Sequence, residues 1–338
     1  MSSAWRHAIV AVTIATGAAW PGATPPAAAQ AAWKPDRPIE IVVGTDPGSG
    51  NDRSARTLQK LWQSTKLVGV AVTVVNKPGG SGAVAWSYLN THQRSGTYLA
   101  TMSPLLLTNE IAGNSPLSYR DVTSVALLLN EEIALGVYAG STIKSGQELI
   151  SRLKGDPTSV SFAVSGIGGQ NHLALGLVAA PTGVDIARLK MIAFAGSSDS
   201  VTAVIGGHVE ATMAPASLIA AQVAAGRLRG IGVASERRQP GVLAEVPTWR
   251  EQGLDVVFSN WRGIVGPKGM TAAQVAYWDD VFSRTVATPE WKQELARSQL
   301  EEHYLDSNRV RGFLEVEHDR LADIMRKISL ANPQPGAK

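Results

Sequence analysis

The chain has 338 residues, of which 44% are hydrophobic and 17% charged, with 33 Gly and 18 Pro. That apolar content suffices for ordinary cores and excludes a disordered chain, while the lack of a glycine period or a heptad seam excludes collagen-like and coiled-coil architectures. The net charge is +3 and the basic residues are scattered, with no run longer than Arg237-Arg238, which argues against nucleic acid as a partner.

Arg6 and His7 precede an apolar stretch from Ala8 to Trp20. A spanning helix needs roughly 20 apolar residues, so this stretch is too short to cross a membrane. It reads as the h-region of a secretory signal, with Ala27-Ala28-Ala29 as the small residues a signal peptidase accepts. The expected leader is 1–29, and a buried helix is disfavoured there by Pro21, Pro25 and Pro26. The sequence has no cysteine, so disulfides, thiol catalysis, thiolate metal sites and a lipid-modified N-terminal cysteine are all excluded. The expectation is an exported protein, periplasmic if the source is Gram-negative.

Ile39 to Val43 reads as a short buried strand, followed by the loop Gly44 to Asp52. A helix comes next, with Ala55, Leu58, Leu61 and Trp62 on one face. The unit then repeats: a strand over Val72–Val75, a loop from Asn76 to Gly82, and a helix from Ala83. Tyr98 to Met102 is a third strand and leads into Ser103-Pro104. The same order returns with a helix at Ser145–Lys154, a strand at Val160–Val164, and the loop Ser165 to Asn171 before a helix from about His172. Strands at Lys190–Phe194, Val209–Met213 and Leu228–Ala234 follow, the first leading through Ala195 to Asp199 into another helix. Phe258 to Val265 is strand-like, and the remainder reads as helical, including Ala272–Ala287 and Arg309–Ile328. Strands alternating with helices predict an α/β fold with parallel pairing.

At least four strand-to-helix loops consist largely of Gly and Ser. Such loops present backbone N–H groups at the positive ends of helices and make anion sites. Apart from Lys77 they carry no Lys or Arg, so an anion held there is expected to rest on N–H groups, hydroxyls and water, without a buried counter-ion. Tight turns are the other reading of any one loop; four of them in two halves favour a crevice at the strand ends. Catalytic motifs are missing: there is no G-x-S-x-G, no GK[ST] loop and no H-E-x-x-H. Asp52 and Asp199 read as site acids or as helix-start carboxylates, and His172 as a site base or a structural residue. Trp261-Arg262 reads as an aromatic wall with a guanidinium, or as strand packing with a surface arginine. An exported enzyme using Asp52, Asp199 or His172 is the alternative function.

The run Arg37 to Val43, then Pro47-Gly48-Ser49-Gly50-Asn51-Asp52 and Ala55-Arg56, resembles the opening of the Bug family, the extracytoplasmic solute-binding proteins of tripartite tricarboxylate transporters. Asn76 to Gly82 is similar to that family's second glycine loop, and Gly166 to Leu173 to the loop opening its second lobe. Gly206 to Glu210, Ala225 to Arg229 and Val246-Pro247-Thr248 follow in the family's order, and Asn260 to Gly263 resembles its tricarboxylate-binding branch.

The resemblance implies a two-lobed Venus flytrap of the type II periplasmic binding protein class, with a mixed sheet in each lobe and a C-terminal helical segment. Lobe 1 would comprise 30–138 and 249–338 and lobe 2 would comprise 139–248, with crossings near Val137–Gly140 and Val246–Gln252. It implies a monomer that grips a small organic carboxylate, di- or tricarboxylate, without a cofactor or metal, and passes it to a membrane permease. The implied ligand contacts are Thr45, Gly48, Ser49, Gly50 and Asn51; Gly80, Ser81 and Ser103; Ser165, Gly166, Gly168, Gln170 and Asn171; and Ala195, Gly196, Ser197, Asp199 and Trp261. The sequence departs from the family at Phe194 to Ser198, where an aromatic-Lys-Gly-Gly stretch is usual, and at Thr45-Asp46. Asp46 adds negative charge at an anion site and counts against citrate-like ligands.

Overall fold

A computed structural model of the chain describes residues 33–165, 169–194, 196–328 and Leu330. The expected leader 1–29 lies outside them. The first sheet begins with β1 (Ile39–Val43), α1 (Gly50–Thr65), β2 (Val72–Asn76), α2 (Ala83–Asn90), β3 (Tyr98–Met102), α3 (Leu105–Ile111) and β4 (Val122–Asn130). The second holds β5 (Ile133–Tyr138), α4 (Gly146–Gly155), β6 (Ser161–Val164), α5 (Gln170–Ala179), β7 (Lys190–Ala193), α6 (Ser197–Ile205), β8 (Ala211–Pro215), α7 (Ala216–Ala224) and β9 (Leu228–Val233). The chain then returns through β10 (Arg262–Pro267), α8 (Ala272–Ala287), α9 (Pro289–Arg297), β11 (Glu301–Leu305) and α10 (Ser307–Lys327).

Strand order in the first sheet is β11-β4-β10-β3-β1-β2, and in the second β7-β6-β8-β5-β9. Each is mixed. β1 runs parallel to β2 and β3 while β10 is antiparallel to its neighbours; β6 runs parallel to β7 and β8 while β5 is antiparallel to β8 and β9. The side-chain period of a strand accounts for helices on both faces. Ile39, Ile41 and Val43 of β1 pack in one core with Leu58, Leu61 and Trp62 of α1, while Val42 faces Ala85, Trp86 and Leu89 of α2 in another. Trp62 also ties α1 to α8: its Nε1 donates to Thr285 Oγ1 at 2.8 Å and its rings lie 5.4 Å from Trp278 and 5.3 Å from Phe282. Contacts of this kind add about 0.5–1.5 kcal/mol beyond the area they bury.

The passages between the sheets fall elsewhere than the sequence suggested. β5 belongs wholly to the second sheet, so the outward passage is Glu131-Glu132, ahead of Val137–Gly140. The return comes after Val246–Gln252, because that stretch still lies on the second sheet: Trp249 N–H donates to Val233 O at 3.0 Å and Phe258 N–H to Ala234 O at 2.8 Å. The two passages pair with each other. Glu131 and Asn260 exchange N–H···O bonds of 3.2 and 2.8 Å, and Glu132 bridges Ser259. Two further corrections concern strands. β4, β5 and β11 went unread in the sequence, and the last of these interrupts the expected all-helical tail. Among the described residues no helix is long and apolar enough to cross a membrane.

Candidate functional site

A cavity of about 500 Å³ lies where the carboxyl ends of parallel strands from both sheets converge. That volume is typical of a small-molecule site. On the first-sheet side it is lined by the loop after β1 (Gly44, Thr45, Asp46, Gly48, Ser49), the start of α1 (Gly50, Asn51, Arg53), Pro78, Gly79 and Ser81 after β2, and Ser103 after β3. On the second-sheet side it is lined by Ser165, by Gly169, Gln170 and Asn171 at the start of α5, and by Gly196, Ser197 and Ser198 at the start of α6. Glu131, Asn260 and Arg262 complete it at the passages.

The structure thus brings together Thr45, Gly48, Ser49, Gly50, Asn51, Ser81, Ser103, Ser165, Gln170, Asn171, Gly196 and Ser197. Gly166, Gly168 and Ala195 lie outside the described residues. Three expected contacts stand elsewhere. Gly80 turns its carbonyl to Asn109 Nδ2 at 2.9 Å, and its φ of +54° is what the turn requires of it. Asp199 is exposed in the first turn of α6 and is absent from the cavity wall. Trp261 is 2% exposed and packs edge-on against Phe313 with its Nε1 on Glu317 Oε1 at 3.3 Å, so it anchors α10 and offers no wall. Lys77, the one cation of the loops, sits 3.9 Å above the Tyr88 ring.

Asp52, one of the two acids weighed for catalysis, is structural in this arrangement. Burial pushes the Asp52 carboxyl up, but hydrogen bonds from Arg56, the Gly48 N–H and Asn76 outweigh it and hold it below the usual carboxylate range. Those bonds measure 2.9, 2.8 and 2.9 Å and fix the turn into α1. His172 is buried within α5, which pushes its imidazole down, and it does not line the cavity.

Arg262, which the sequence left between a site guanidinium and a surface arginine, is buried. It is 5% exposed, lines the cavity and is ion-paired to Glu131, itself 2% exposed. Burial pushes its guanidinium down, opposed by the Glu131 charge. The neighbouring Asn260 Nδ2 donates to the same carboxylate at 3.3 Å, and Ser217 Oγ, from α7 on the other sheet, at 3.4 Å. The pair also explains Gly50, where a Cβ would overlap the guanidinium. Gly50→Ala should therefore lower the unfolding free energy by about 1–3 kcal/mol through overpacking. Chemical denaturation reads this, and a loss below a few tenths would mean that Arg262 moves aside freely. Next to the pair, Glu132 is 6% exposed, and burial, with Glu301 and Glu236 adding to it, pushes its carboxyl up to about 8.

Two mixed sheets with a cavity between them at their strand ends define a two-lobed solute-binding protein. The chain belongs to the tripartite tricarboxylate transporter receptor family, which matches it over residues 55–330. The members of this family are periplasmic solute-binding proteins, not enzymes. A protein from the gbd 5′ region of Cupriavidus necator is 30% identical over 334 residues, covering 97% of this chain and 99% of its own. A TctC solute-binding protein from Polaromonas superposes with a TM-score of 0.72 at 27% identity, covering 87% of this chain and 99% of that one. Two structures from Rhodopseudomonas palustris share the fold. Rpa4515 with adipate has a TM-score of 0.77 at 22% identity, over 88% and 99% of the chains. MatC with bound malate has 0.73 at 21%, over 86% and 99%.

Proposed function

We propose that this protein captures a small organic carboxylate between its lobes and delivers it to a membrane permease of the tripartite tricarboxylate type. The observation that carries the reading is the cavity itself, walled from both sheets by Gly- and Ser-rich strand ends, with the uncapped starts of α5 and α6 opening onto it. Helix starts of this kind hold anions without a matching buried charge. Adipate and malate in the two Rhodopseudomonas palustris structures support a carboxylate. In this reading 1–29 directs export, and the lobes meet at the paired passages: 33–131 with 260–330 form one lobe and 132–259 the other. The mature protein acts as a monomer, and closure follows from ligand contacts made to both lobes.

A thermal-shift screen of the protein against mono-, di- and tricarboxylates, aromatic ones included, tests the proposal. A ligand at 100 times its Kd adds about 2.7 kcal/mol of stability. One or more carboxylates should shift the transition and be recovered unchanged. A flat response across the panel would sink the carboxylate reading.

A further inference from the structure

The two walls of the cavity differ in what they offer. The second-lobe wall carries no charged residue among those described. Helices α5 and α6 open onto it at Gly169 and Gly196, neither of which brings a side chain to cap the first turn. Between them Asn171 Nδ2 donates to Ser165 Oγ at 2.9 Å and to Ser197 Oγ at 3.0 Å. An amide nitrogen only donates, so both hydroxyls accept there and keep their own protons for another partner. Two hydroxyls that give their protons to no described residue, beside two uncapped helix starts, form a pole suited to an anion.

The first-lobe wall has the opposite character. The carboxylates of Asp46 and Glu131 line it; its buried arginine, Arg262, is paired to Glu131, and the exposed Arg53 gives one N–H to Gly48 O at 2.7 Å. The start of α1 is capped from within: Ser49 Oγ accepts the Asp52 N–H at 3.3 Å, and Asp52 Oδ2 accepts the Gly48 N–H at 2.8 Å. Among the described residues of the cavity wall, Asn51 Oδ1, Ser103 Oγ and Asn260 Oδ1 are buried without a hydrogen-bond partner, and all three belong to this side. Asn260 is held with its oxygen unpaired because its Nδ2 faces the Glu131 carboxylate. A wall with spare acceptors, whose buried cation is already paired, favours a hydrogen-bond donor over a second anion.

From this polarity we infer that the ligand is a carboxylate with a donor-bearing opposite end, hydroxyl or ammonium: the carboxylate docks on Ser165, Ser197 and the α5 and α6 starts, and the donor end faces Asp46, Asn51 and Asn260. The inference rests on the carboxylate reading and narrows it, setting plain dicarboxylates below hydroxy and amino acids. Asp46, exposed at the rim, is the residue assigned to that selection.

Calorimetric titration with chain-matched probes tests it: succinate against γ-hydroxybutyrate and γ-aminobutyrate, and glutarate against δ-hydroxyvalerate and δ-aminovalerate. At least one donor-ended probe in each set should bind about tenfold or more tighter than its dicarboxylate, a difference of about 1.4 kcal/mol. Asp46→Asn should shrink that preference, more for the ammonium probes than for the hydroxyl ones if an ammonium is the true group. Ser197→Ala should weaken every binding probe by a similar factor. Dicarboxylates binding as well as or better than their partners, or a preference untouched by Asp46→Asn, would overturn the inference and leave carboxylate capture standing. Silence from all six probes, together with a flat thermal-shift panel, would remove both.

Discussion

Glu132→Gln is expected to raise the unfolding free energy by about 2–4 kcal/mol at pH 7.5 and to leave it nearly unchanged near pH 4.5. The carboxyl is buried at the passage between the lobes, its Oε2 has no hydrogen-bond partner among the described residues, and it is pushed up to about 8 in the folded chain. In the unfolded chain a glutamate titrates near its ordinary value of about 4.3. Between those two values the folded protein holds a proton that the unfolded chain has already released. The stabilisation is therefore complete below the unfolded pKa and is lost as pH rises through 8, at about 1.4 kcal/mol per pH unit. Glutamine is the neutral isostere and has no proton to lose, so the variant escapes the decline. Urea denaturation of both proteins at the two pH values reads the difference. A wild-type and variant that differ equally at both would show that the Glu132 carboxylate is ionised and satisfied inside the fold.

Arg262→Met should do the reverse and destabilise by about 3–5 kcal/mol, because it strands the Glu131 carboxylate without its partner in a buried position. The pair's side chains are 6% and 3% exposed, so water does little to replace the lost charge. The informative control is the double variant Glu131→Leu with Arg262→Met. Two apolar side chains in place of a buried pair are frequently neutral or better, so the double variant should recover most of the loss. A single-variant loss under about 1 kcal/mol would mean that Glu131 reaches solvent in the folded protein, against the burial described above.

The alternating glycine loops and apolar strands made much of this architecture readable before any coordinates. β1, β3, α2 and the start of α8 lie where their patterns put them, and the polar lining at Thr45, Ser49, Ser81, Ser165 and Ser197 follows from the same loops. What escaped has physical causes. Val125 to Leu135 is one apolar run interrupted only by Asn130-Glu131-Glu132, and no Gly or Pro marks the point where the chain changes sheets. β11 hides among the charged residues of Glu301-Glu302-His303, because an edge strand needs few apolar side chains. Trp261 and Arg262 are adjacent in sequence and face opposite ways along a strand, so the period of two sends the aromatic ring to α10 and the guanidinium to the cavity. Their pairing partners, Glu317 and Glu131, lie far away along the chain, and local spacing carries no record of them.

The mutual pairing of Glu131 with Asn260 places both chain passages side by side beneath the cavity. If the lobes swing about that pair, displacement grows with distance from it, as along the arms of a nutcracker. The residues at the pivot, Arg262 and Asn260 among them, would keep almost the same spacing throughout the stroke, while residues at the rim would travel farther. Contacts near the pivot would then measure a guest's chemistry before the jaws meet, and contacts at the tips would decide how long it stays.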